Sequence, residues 1–79
     1  METNEETMKQ ELVKNFKSTL SAMSYYNAAE GSDWGREEAE RDRTELKLKY
    51  LAKNLRIHGI NPKDLAAGYL VSESDYTEN

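Results

Sequence analysis

Met8-Lys-Gln-Glu-Leu12-Val13-Lys-Asn-Phe16-Lys-Ser-Thr-Leu20-Ser-Ala-Met23-Ser-Tyr-Tyr26 is the stretch that decides the fold. Its apolar residues Met8, Leu12, Val13, Phe16, Leu20, Met23 and Tyr26 recur at steps of three and four, the repeat of an α-helix. At about 100° per residue they fall within an arc of roughly 140°, a single stripe facing one neighbour. No Gly or Pro interrupts the chain before Gly31. Thr3 and Glu6 have the spacing of a capping box, and acids crowd the first turn, where the helix dipole favours them. The spacing predicts helix 1 over about 4–30, stopped by Gly31.

Gly31-Ser-Asp-Trp-Gly35 reads as the connection, with Ser32 or Asp33 able to cap a second helix over about 33–58. Gly59 follows as a left-handed stop, and Ile60 is placed for the hydrophobic contact of a Schellman turn. Asn61-Pro62 restarts a short third helix over about 62–70, with Asn as cap and Pro in the first turn. Ser72 to Asn79 is polar and acidic and is expected to be disordered. The expected architecture is all-α: a long antiparallel helical hairpin, a short third helix, and a disordered C-terminal tail. One domain covers 1–71 and the tail 72–79.

Helix 2 has two apolar sides. Ala39, Leu46, Tyr50 and Ile57 cluster within about 40° on a helical wheel, and Leu48, Leu51 and Leu55 within about 60° on the opposite side. A helix apolar on opposite sides is expected to be sandwiched. Helix 1 can cover one side, and helix 3 only the C-terminal part of another. Either helix 3 folds back far enough, or a second subunit or partner completes the sandwich. The second outcome is favoured.

Composition narrows the function. The chain has 79 residues, of which 37% are apolar and 33% charged, a lean mixture for a self-sufficient core. It has no cysteine and one histidine, so neither a disulfide nor a zinc site built on Cys or paired His is available. A net charge of −4 argues against general affinity for nucleic acid or anionic membranes. No apolar run approaches the roughly 18 residues of a membrane span. The acidic opening, Met1-Glu-Thr-Asn-Glu-Glu6, does not read as a signal peptide, and a cytoplasmic location is expected.

No catalytic constellation is apparent. His58 falls in the closing turn of helix 2, where the dipole favours an imidazolium. The acids Glu37, Glu38, Glu40 and Asp42 alternate with Arg36, Arg41 and Arg43 in the manner of a solvated helix start. The segment Leu55 to Leu65 has the outline of a helix-turn-helix, but its second helix offers one Lys and no Arg for base or phosphate contacts. Lys49, Lys53 and Arg56 are solvating charges first and possible anion contacts second. Among the aromatics, Tyr25 points away from the helix 1 stripe and is expected to be exposed. Trp34 either plugs the open end of the hairpin, the favoured reading, or contacts a partner.

The expected function is therefore a non-enzymatic protein-protein interaction module: a small adaptor, chaperone-like factor or inhibitor acting stoichiometrically, without metal or cofactor. Its partner is another protein, itself as a homodimer, or both. Tyr25, Trp34, Ala39, Leu46, Tyr50 and Ile57 are the candidate interface residues. The alternatives are a nucleic-acid-binding helical protein and a small-ligand receptor formed in a dimer groove.

Overall fold

The structure, a computed structural model, describes residues 4–28 and 34–77. Three α-helices follow one another: α1 (Asn4–Ala28), α2 (Trp34–Ile57) and α3 (Pro62–Ala66). A short 3-10 turn, Glu73–Asp75, comes last. There are no strands among the described residues. α1 and α2 pack along their length as the expected hairpin. The cap at Thr3, the stop at Gly31 and the caps at Ser32 or Asp33 lie outside the described residues. Trp34 opens α2 instead of belonging to the connection, and its side chain lies outside the described residues, as does its choice between plug and contact.

The end of α2 forms as its sequence dictates. Gly59 takes φ +79, the left-handed conformation that a Cβ penalises. Its N–H donates to the Arg56 carbonyl at 3.0 Å, and the Ile60 N–H donates to the Leu55 carbonyl at 2.9 Å. That bond pair is a Schellman stop. It turns half-buried Ile60 onto the core. The Asn61 side chain then accepts from the Lys63 N–H at 3.1 Å and caps α3, with Pro62 in the first turn.

Helix 3 does not reach residue 70. It ends at Ala66 because Ala67 is extended (ψ 131) and Gly68 swings the chain round at φ +92. Nor is 72–79 a disordered tail as far as the described residues run. The 3-10 turn carries Tyr76 into the core, only 4% exposed and edge-on to Phe16 with ring centroids 6.1 Å apart. The expected boundary after residue 71 therefore cuts through a packed unit. The ring buries a large apolar area for a single residue and ties a polar segment to the core.

The core is made by Phe16, Leu20 and Met23 of α1 and by Leu48, Leu51, Ala52 and Leu55 of α2, closed by Ala66 and Tyr76. The central residues of the α1 stripe are thus buried. Met8, at the edge of that arc, stays exposed. The molecule measures 50 × 22 × 21 Å. It is a rod, in which α3 and the segment after it add a layer to the α1–α2 pair.

Candidate interaction face

Among the described residues, the elements that cover α2 lie on one side of it. Leu48 and Leu55 on that side have no exposed surface. On the other side Leu46, Tyr50 and Ile57 are 68%, 67% and 70% exposed, and Ala39 is exposed beside them. α3 was expected to shield the C-terminal part of this second side. It does not, because the Gly59 turn sends it back over the buried side, and Ile57 stays open. Four of the six candidate interface residues are thus brought into one line along α2. Tyr25 is exposed as expected but stands on α1, where its ring meets that of Tyr26 edge-on at 5.5 Å. It does not join the line.

The line is regular. Ala39, Leu46, Tyr50 and Ile57 are separated by seven, four and seven residues, the spacing of one seam of a coiled coil. Arg43 and Lys53 occupy the two remaining seam positions, and both are exposed. Lys49, Lys53 and Arg56 share one flank at i, i+4 and i+7. Their states differ. Lys49 Nζ is held by Glu45 at 2.8 Å, and Arg56 donates to Thr77 Oγ1 at 3.3 Å. Lys53 forms no ion pair among the described residues, and neither do Arg43 and Lys47. Free cations therefore border and interrupt the strip.

A second group of residues, not anticipated from the sequence, pins the C-terminal segment at the far end of the hairpin. Asp75 is buried, and its carboxylate accepts from the Ser72 N–H (3.0 Å), Asn27 Nδ2 (3.2 Å) and Arg41 Nη2 (3.4 Å). Asn27 also accepts from Arg41 Nε (3.1 Å) and donates to the Leu70 carbonyl (2.8 Å). The Leu70 N–H donates to Ser24 Oγ at 2.9 Å. Arg41 completes the set by pairing with Glu45 at 3.1 Å. The cleft of about 280 Å³ beside this network is lined by the same residues, whose polar groups are largely spent on one another. At the opposite edge of the segment the Tyr76 hydroxyl is pushed above its ordinary pKa, first by burial and next by the Glu73 carboxylate, with Arg56 opposing. The readable signal was the Asp-Tyr pair itself, an aromatic beside an acid in an otherwise polar stretch.

A hollow of about 490 Å³ runs beside Glu6, Lys9, Gln10, Val13, Lys14 and Lys17. All six residues belong to α1, so a small ligand there would have no second wall. Among the described residues no cluster of three or more His, Cys, Asp or Glu side chains is arranged to hold a metal ion. No described helix is long and apolar enough to cross a membrane. Compared with known proteins, the chain matches no family model, no curated protein and no solved structure. The face itself is the ground for a functional reading.

Proposed function

We propose that the chain is a non-enzymatic, cytoplasmic protein-binding module, acting stoichiometrically as an adaptor, chaperone-like factor or inhibitor, and that the outer side of α2 is where it docks. One observation carries this reading. Leu46, Tyr50 and Ile57 form an apolar line over three turns, crossed by Lys53, on a helix whose other side is sealed. Scattered exposed apolar residues are ordinary on a protein surface; an aligned set rimmed by charge is the usual form of a contact site. Tyr50 has the amphipathic ring favoured at the centre of such sites. The line contributes nothing to the chain's own core.

The test is capture from extracts of the native host with the wild-type chain, the Leu46→Glu/Tyr50→Glu variant and a Gln10→Glu/Lys14→Glu control on the exposed side of α1, followed by mass spectrometry. The reading expects proteins held by wild type and control and lost from the α2 variant. Identical captures by all three would remove it. The cations beside the strip give the nucleic-acid alternative its one specific support. Retention on nucleic acid with a steep salt dependence, abolished by Lys47→Glu/Lys53→Glu and indifferent to Leu46→Glu, would favour that alternative.

A further inference from the structure

The charge around the α2 strip says what kind of partner fits it. Leu46 to Ile57 contains Lys47, Lys49, Lys53 and Arg56 and no acid, a net +4 within twelve residues. The whole chain is −4, so the other 67 residues carry −4 − 4 = −8. The strip is thus a basic island on an acidic protein. Lys47 borders one edge of the apolar line, and Lys49 and Arg56 the other. Arg43 and Lys53 sit within the seam itself. Among the described residues Asp42 and Glu40 are the exposed acids on this side, both toward the N-terminal end, and Glu45 is paired with Lys49 on one border.

Resting on the docking reading above, we propose that the occupant is an amphipathic helix of another protein whose apolar stripe is bordered by carboxylates. Two features select a helix. The 7-4-7 spacing is that of knobs packing into a facing helix, and the strip from Ala39 to Ile57 is about 27 Å long at 1.5 Å per residue, matching five turns of a partner helix. Two features select its charge. Arg43 and Lys53 stand in the seam, where desolvation on docking calls for a facing Asp or Glu. Lys47 stands free on the border and favours carboxylates flanking the partner's stripe.

A second copy of this chain fits worse. Antiparallel pairing over the full strip, centred on Leu48, sets Ala39 against Ile57 and Leu46 against Tyr50 of the second copy. It also sets Arg43 against Lys53 twice. Parallel pairing sets each of these cations against its own equivalent. Like charges meet in the seam either way.

The probe is a labelled helical peptide of about three heptads with Leu at its stripe positions, Glu at the two stripe positions that face Arg43 and Lys53, and Glu at the flanking ones, compared with a twin carrying Lys at every Glu position. Binding is read by fluorescence anisotropy on the full chain. The Glu peptide is expected to bind at least about tenfold more tightly than its twin, with the ratio shrinking as salt rises. Lys47→Glu/Lys53→Glu should abolish or reverse the preference, and Leu46→Glu/Tyr50→Glu should remove binding of the Glu peptide. Vesicles of phosphatidylcholine and phosphatidylserine in equal parts, and duplex DNA, are measured alongside. Equal affinity for the two peptides would overturn the inference on charge while leaving the docking reading to the capture experiment. Binding to vesicles or DNA without binding to the Glu peptide would overturn the choice of occupant. So would failure of both peptides to bind, or a chain that is already a dimer by sedimentation at the concentration used, with Leu46→Glu restoring the monomer.

Discussion

The two sides of α2 carry nearly the same residue types and have opposite fates. On one, Leu48, Leu51, Ala52 and Leu55 are buried under α1, α3 and the C-terminal segment. On the other, Leu46, Tyr50 and Ile57 lie open along the same turns. Hydrophobicity alone did not decide which was covered. Direction did: the left-handed Gly59 turns the chain back to the side α1 already occupies, and Tyr76 anchors it there. The apolar content of one helix is thus split between a side that folds the chain and a side left exposed.

The contrast can be broken or sharpened by substitution. The largest effect is expected at Leu48, wholly enclosed: Leu48→Ala should cost about 2–5 kcal/mol in denaturant unfolding, a large share of what a chain this size has to lose. A cost below about 1 kcal/mol would mean the two sides do not differ as described. Next is Tyr76→Ala, which removes the ring that closes the buried side. It should cost about 2–3 kcal/mol, toward the lower end for a large-to-small change because its short segment can shift into the gap. If 72–77 were unimportant to the core, the change would be silent.

Asp75→Ala should cost less, about 1–2 kcal/mol, since it orphans the Ser72 N–H and one Arg41 contact that is itself partly solvated. Burial raises the Tyr76 pKa above its ordinary 10.0, so the folded state resists ionising this phenol. The unfolded chain loses that proton first as pH rises. The stability held by the neutral ring is thus complete below pH 10 and lost as pH climbs past it, and Tyr76→Phe should flatten the decline. The smallest effect is expected on the open side: Leu46→Ala should change stability by no more than about 0.5 kcal/mol. A loss as large as that at Leu48 would place Leu46 in a core.

Much of this was legible in the sequence. The α1 stripe, the two-sided α2 and the Gly59-Ile60 stop with its Asn61 cap follow from side-chain period and turn chemistry, which are local. What was not legible depended on long-range placement. Sequence period shows that α2 has two apolar sides but not that α3 would join α1 on one of them. Leu65, Ala66, Tyr69 and Leu70 keep a helical spacing through Gly68, whose φ of +92 ends the helix that the spacing predicts to residue 70. The segment after Ser72 is polar in composition, yet Tyr76 packs on Phe16 and Asp75 bonds Asn27 and Arg41, 48 and 34 positions away, contacts that composition does not reveal. Of the candidate face, the members Ala39, Leu46, Tyr50 and Ile57 were readable from the wheel, whereas the separation of Tyr25 from them needed the assembled hairpin.

Tyr50 stands in the open strip and Tyr76 in the core, so mild nitration of tyrosines, mapped by mass spectrometry, tests the central claim on one chain. In dilute purified protein Tyr50 should react readily and Tyr76 hardly at all, and in host extract Tyr50 should become protected as a partner covers it. A Tyr50 that reacts equally in both conditions, or one already shielded in the dilute chain, would contradict the claim that α2 keeps one side free for another protein.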